Sequence, residues 1–329
     1  MSARYDATCI GNAIVDVITK NEEAFIAKHG LVKGAMTLID AERAEALYAA
    51  MGPGLEASGG SAGNTAAGLA SLGGKAAFIG KVTGDQLGAV YRHDIRAVGV
   101  DFDSRPLDPA VAGTPPTARS LIIVTPDAQR TMNTYLGACV ELTPDDVDEA
   151  VISGSQVTYL EGYLWDRPTA KEAFIKAAQI AHSAGRKVSL TLSDSFCVER
   201  HRDSFLSLID SHVDLLFANE AEIKALYQVD DFDTAVAAVR GRCEVAAITR
   251  SEKGSVIVTD GETHLVEAAP LVQLVDTTGA GDLYASGFLY GFTRGLGLAE
   301  SGRIGSIAAA EVISHVGPRP LVPLRSLLG

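Results

Sequence analysis

The chain has 329 residues, enough for one large α/β core with an appendage, and its 47% hydrophobic content with 33 glycines and only 12 prolines excludes a disordered chain. With 41 acidic against 28 basic residues the net charge is −13. That balance excludes a broad electrostatic footprint for nucleic acid or an anionic membrane, so any bound phosphate must be held locally.

In chain order, residues 1–17 (MSARYDATCIGNAIVDV) break their apolar stretch with Asp6, Asn12 and Asp16, which suits a first strand and not a secretory leader. No run reaches the ~18 apolar residues that cross a bilayer. Cys9, Cys139, Cys197 and Cys243 are scattered, with no CxxC pair and no zinc-ligand spacing. Buried, reduced thiols in a cytoplasmic protein are expected.

Residues 76–82 read as a strand and 87–100 as a helix leading into the next strand. The rhythm repeats in a strand at 156–164, a helix at 168–185, strands at 187–194 and 214–220, a helix around 220–227 and a strand at 244–250. Short apolar runs alternating with helical patterns are βα units on a parallel sheet, doubly wound with helices on its faces. Residues 255–268 break this rhythm: two β-like runs flank Asp260-Gly261, a hairpin signal that puts an antiparallel edge on the sheet. Residues 117–136 look similar, with Thr125, Pro126 and Asp127 as the turn. Because they fall between βα units, segments within about 12–40 and 110–137 are expected to leave the main sheet and form a small β lid inserted in a single domain spanning 1–329.

Two segments carry chemistry. In 275–292 (VDTTGAGDLYASGFLYGF), Gly279 and Gly281 permit a tight turn that exposes backbone N–H groups at a helix start, a ready anion site, with Asp282 beside it. A capped turn needs only the acid. A carboxylate beside an anion site suits phosphoryl transfer, where a base takes a hydroxyl proton while amides hold phosphoryl oxygens. In 57–80 (ASGGSAGNTAAGLASLGGKAAFIG), Gly59, Gly60 and Gly63 let backbone approach a ligand or pack a helix on the sheet, and Asn64 opens an Ala-rich helix. Neither the Walker A pattern nor the dinucleotide GxGxxG is present here.

Together these stretches resemble the paired signatures of the PfkB, or ribokinase-like, carbohydrate kinases: an N-terminal GG-x-x-x-N-x-A and a C-terminal D-T-x-G-A-G-D, here DTTGAGD. The resemblance implies a doubly wound, mostly parallel α/β domain with a small β lid, and an ATP-dependent kinase acting on a primary hydroxyl. It implies Asp282 as general base and the amides of Gly279, Ala280 and Gly281 as an anion hole. Asn219 and Glu222, in NEAE, match a motif that organises Mg²⁺ through water; as bare residues they read as a helix cap and a first-turn acid. Thr249 and Gly254, with Thr277, match nucleotide-binding positions, but Ser251 stands where a glycine is expected.

Within that family the chain is most similar to the adenosine kinases. GNAIVDV at 11–17 resembles their ribose-binding stretch, which would make Asn12 and Asp16 the hydroxyl clamp, with Gly60, Ser61 and Asn64 beside it. Phe196 would pack on a purine with Tyr163 or Leu164 facing it, and Arg130, in the lid hairpin, would meet the transferring phosphate. The expected partners are therefore ATP, Mg²⁺ and a nucleoside or sugar, with K⁺ left open, in a monomer or homodimer. A ribose, fructose or 2-keto-3-deoxygluconate kinase is the alternative within the family, and a non-catalytic nucleoside-binding protein is a further one.

Overall fold

A computed structural model describes residues 3–127 and 129–329. Among these residues the strands are β1 (Tyr5–Ile10), β2 (Ile14–Lys20), β3 (Met36–Leu38), β4 (Leu55–Ser58), β5 (Ala76–Ile79), β6 (Val100–Asp101) and β7 (Ala118–Val124). They continue with β8 (Arg130–Tyr135), β9 (Ser155–Glu161), β10 (Lys187–Thr191), β11 (Leu215–Asn219), β12 (Val245–Thr249), β13 (Ser255–Val258) and β14 (Thr263–Val266). They make two sheets.

The larger sheet runs β14-β13-β12-β11-β10-β9-β1-β5-β6 and is parallel from β12 to β6. Its central strands are apolar on both faces because helices cover both. Ile10, Leu160, Val188, Leu216 and Ile248 enter one core layer with Phe174, Trp165 and Phe205. Their chain neighbours Cys9, Tyr159, Leu215, Phe217 and Ala247 enter the opposite layer with Phe78 and Phe288, as the two-residue period of a strand requires. The hairpin at Asp260-Gly261 forms, with Thr259 N–H donating to Glu262 O at 3.0 Å, and it adds β13 and β14 antiparallel to the sheet edge.

Small residues set the helix layer behind the site. The helix Ala280–Thr293 lies against Leu298–Val312, where a Cβ on Gly287 would sit 2.6 Å from Gly305 Cα. It also lies against Ser61–Ser71, where Gly68 faces Leu283 and Ser286. These contacts bring the two glycine-rich stretches together at one end of the sheet.

The second sheet runs β3-β8-β7-β2-β4, with β7 and β8 antiparallel and β2 parallel to β7. It contains β4, from residues 55–58, which lie outside the segments named from the sequence; LEAS, half-polar and four residues long, carries no strand signal of its own. The four cysteines are free, three of them buried. Among the described residues no helix is long and apolar enough to cross a membrane.

Candidate active site

The site forms where parallel strands end, the position at which doubly wound sheets hold ligands. β1 stops at Ile10, and Gly11 and Asn12 turn the chain into β2 of the other sheet, so one short link spans the base of the cleft. Asn12 is buried, and its Nδ2 donates to Glu161 Oε1 at 2.7 Å while its Oδ1 has no partner among the described residues. Asp16, on β2, is buried without a hydrogen bond to its carboxylate among the described residues. Burial pushes its carboxyl up to about 7, against the pull of Arg319 and Arg130, with the Asp282 charge adding to the rise. The glycine pair is explained by this crowding: a Cβ on Gly59 would lie 2.5 Å from Asp16 Oδ2, and one on Gly60, whose φ is +82°, would overlap the Asn12 carbonyl. These glycines admit the clamp residues.

Asp282 begins the helix that follows the DTTGAGD turn. Ser61 Oγ donates to its Oδ1 at 2.6 Å and Asn64 Nδ2 to its Oδ2 at 2.9 Å. Ser61 and Asn64 thus hold the acid as well as facing the cleft, and Asn64 Oδ1 is buried without a partner among the described residues. Burial holds the Asp282 carboxyl above its usual range, while Ser61, Asn64 and Arg319 oppose the rise. Gly279, at φ +81°, backs onto Pro318, and the space beyond the Cα of Gly281 is open. One expectation needs correction: Ala280 N–H donates to Thr277 O at 3.2 Å, closing the turn, so it is not a free anion donor in this state. The Gly279 and Gly281 amides make no such bond among the described residues.

Arg130 opens β8 with its side chain largely shielded from solvent. Its Nη1 pairs with Asp276 Oδ2 at 2.6 Å and reaches Thr278 Oγ1 at 3.4 Å, tying β8 of the second sheet to the turn, while Nη2 is left without a partner among the described residues. Asp276 also accepts from Thr278 N–H and from Gly317 N–H, both at 3.0 Å, which docks the C-terminal segment there.

Two residues were missed from the sequence. Glu161 ends β9 and accepts from Asn12 and from Ala62 N–H; burial raises its carboxyl to about 7. Arg319 donates through Nη2 to Ser58 O at 2.9 Å, its Nε and Nη1 are buried without partners among the described residues, and its charge lowers the Asp16 and Asp282 values. Glu161 was readable only as an acid inside the apolar run YLEGYL, and Arg319 left no local signal.

The nucleotide-side residues stand apart from this cluster, at the ends of β11 and β12. Asn219 and Glu222 form a capping box: Asn219 Nδ2 and N–H donate to the two Glu222 oxygens at 2.6 and 2.9 Å, and Glu222 N–H donates back at 2.9 Å. Burial raises the Glu222 carboxyl to about 7. Both oxygens keep a second lone pair, which suits waters around Mg²⁺ and not a direct cage, and no cluster of three metal-ligating side chains occurs among the described residues. Thr249 Oγ1 donates to Ala218 O at 3.5 Å, and Thr277 is exposed. Gly254, at φ +78°, is pressed against β14, and Ser251, at φ +52°, adopts the left-handed backbone for which a glycine was expected.

On the other side of the cleft Phe196 is 71% exposed and Tyr163 is 38% exposed, its Oη donating to Ser193 O at 3.2 Å. Leu164, in the 3-10 turn Gly162–Asp166, is 1% exposed and joins the core layer beneath while also lining the cavity that Tyr163 borders. Tyr163 borders a cavity of about 370 Å³ between the two sheets, walled by Leu38, Ile39, Leu136 and Val140 and also by Glu141, Asp166 and Arg167.

The model of the pfkB family carbohydrate kinases matches residues 26–325. The structure of an adenosine kinase from Sinorhizobium meliloti is 57% identical, covering 99% of this chain and 98% of that one with a TM-score of 0.90. A probable sugar kinase protein from Rhizobium etli CFN 42 is 54% identical with the same coverage and a TM-score of 0.90. The adenosine kinase of Saccharomyces cerevisiae is 26% identical, over 94% of this chain and 95% of its own length. The buried acid Asp282 at a glycine-rich helix start, beside Asn12 and Asp16 at the strand ends, is thus set in a chain that belongs to the pfkB family of carbohydrate kinases.

Proposed function

We propose that the chain transfers the γ-phosphoryl group of ATP to the 5′-hydroxyl of adenosine. The observation that carries this is the convergence of unpaired acceptors on one cleft with the held acid: Asn12 Oδ1, Asn64 Oδ1 and the Asp16 carboxylate around Asp282. Buried acceptors without donors are costly in the free protein and are matched by a ligand rich in hydroxyls, as a ribose is. The Sinorhizobium meliloti structure, at 57% identity, supports adenosine as that ligand, and the 370 Å³ cavity beside Tyr163, with its aliphatic wall and polar rim, suits a purine.

In this reading Asn12 and Asp16 accept from the vicinal hydroxyls, and Asp282 takes the proton of the attacking 5′-hydroxyl. The Gly279 and Gly281 amides and Arg130 Nη2 hold phosphoryl oxygens, while the second sheet serves as a lid that keeps water out. Asn219 and Glu222 would hold the waters of a Mg²⁺ ion, which when bound would supply charge neutralisation for the transferring phosphoryl group.

The probable sugar kinase similarity keeps a second reading. A coupled ADP-release assay with adenosine, inosine, guanosine, ribose, fructose and 2-keto-3-deoxygluconate tests the proposal. Adenosine leading in kcat/KM supports it, and a free sugar leading overturns it.

A further inference from the structure

Glu161 is 1% exposed at the end of β9 and is joined to the cleft by Asn12 and by the Ala62 N–H. Its two oxygens are differently occupied. Oε2 accepts Ala62 N–H at 2.8 Å and Asn12 N–H at 3.3 Å, two backbone donors that cannot be reversed. Oε1 accepts Asn12 Nδ2 at 2.7 Å. The Gly11 position admits this carboxylate, since a Cβ there would overlap it and lie 2.5 Å from Ala62 Cβ.

An ionised carboxylate accepts and never donates, so the Asn12 amide must turn its NH₂ inward and its Oδ1 outward. That oxygen is the buried atom left without a partner among the described residues. We infer that Glu161 is a positioning residue that fixes the hydrogen-bond polarity of Asn12, making it an obligate acceptor and the cleft selective for a substrate group that donates. The inference rests on the reading of Asn12 as facing a substrate hydroxyl.

The consequence is specific. A hydroxyl can donate to Oδ1, whereas fluorine of similar size cannot and would set lone pairs against lone pairs, leaving the buried oxygen unpaired. Sites built this way reject such analogues by orders of magnitude. In Glu161→Gln the side-chain carbonyl can keep both backbone donors at the Oε2 position, which preserves the local fold. Its NH₂ then occupies the Oε1 position, opposite Asn12 Nδ2, and the donor–donor conflict is relieved when the Asn12 amide flips. Asn12 would then present NH₂ to the cleft and tolerate fluorine.

The test measures kcat/KM for adenosine and for its 2′-fluoro and 3′-fluoro analogues. It uses wild type, E161Q and the double variant N12D/E161Q, at a pH about one unit above the Glu161 value of about 7 so that the acid is ionised. Asp282, Cys9, Tyr91, Cys139 and Cys197 are the titratable groups whose charges act on Glu161 or feel it. In wild type the hydroxyl-over-fluoro ratio should be about 100 or more for at least one analogue, and E161Q should lower that ratio at least about tenfold. In N12D/E161Q the new amide donates to one oxygen of the new acid while the other faces the cleft, so the ratio should return toward wild type. A purely structural role would move neither the ratio in E161Q nor its recovery in the double variant.

An E161Q ratio equal to wild type, with activity merely lower, overturns the inference while leaving the Asn12 contact in place. A wild-type enzyme indifferent to fluorine at both positions overturns the Asn12 reading itself, and the inference with it. Should E161Q not fold, the double variant alone decides: wild-type selectivity there supports polarity control, and loss of it contradicts it.

Discussion

The Ser61 hydroxyl donates to Asp282 Oδ1 at 2.6 Å across 221 residues of sequence. It joins the first glycine-rich stretch to the second, and it stabilises the ionised form of an acid that burial drives toward its neutral form. Ser61→Ala should therefore raise the Asp282 value. The acidic limb of the kcat–pH profile should move to higher pH, with kcat lowered several-fold at neutral pH and recovering as pH rises. An unshifted limb with a uniform loss would show that Ser61 does not control the acid.

Asp16 carries the same logic on the binding side. Its carboxyl, at about 7, must be ionised to accept from two hydroxyls, so KM for the acceptor should fall as pH rises through that value. Arg319 holds the value down, and Arg319→Met should displace the fall in KM to higher pH. Asp16→Asn should raise KM by about a hundredfold with a smaller change in kcat. Steady-state kinetics across pH separate the two effects.

The buried acids also affect stability. Asp16, Glu161 and Glu222 all have folded values of about 7, well above the ordinary carboxylate range. Between about 4 and 7 the folded chain binds protons that the unfolded chain has lost, so its stability is greatest below that window and declines as pH rises through it. Urea midpoints of the ligand-free protein should fall from about pH 5 to about pH 8, and Glu222→Gln should flatten that slope.

Ser251 holds φ at +52° in an exposed 3-10 turn. A serine pays a steric cost there that glycine does not, partly offset by the greater freedom of unfolded glycine. Ser251→Gly should stabilise the chain by about 0.5 kcal/mol, read as a raised urea midpoint at unchanged slope.

That position shows how sequence and structure relate here. The backbone demand at Ser251 was visible as a missing glycine, just as Asp260-Gly261 announced its hairpin and DTTGAGD its helix start, because these signals are local. Glu161 and Arg319 were not visible. A buried acid among apolar neighbours gains meaning only when β1 and β9 are paired, and an arginine near the C-terminus only when it reaches Ser58. Tyr163 and Leu164 both line the cavity between the sheets, Leu164 with its side chain largely in the core. The turn at Gly279–Gly281 was legible, although which of its amides stay free depended on the bond from Ala280 to Thr277.

The most direct measurement is single-turnover phosphoryl transfer from ATP to adenosine by Asp282→Asn, alongside ATP affinity by calorimetry. The account predicts a loss of about a thousandfold or more in the chemical step with ATP affinity and thermal midpoint near wild type, since the site keeps its shape and loses its base. Turnover within about tenfold of wild type would contradict Asp282 as the group that takes the hydroxyl proton.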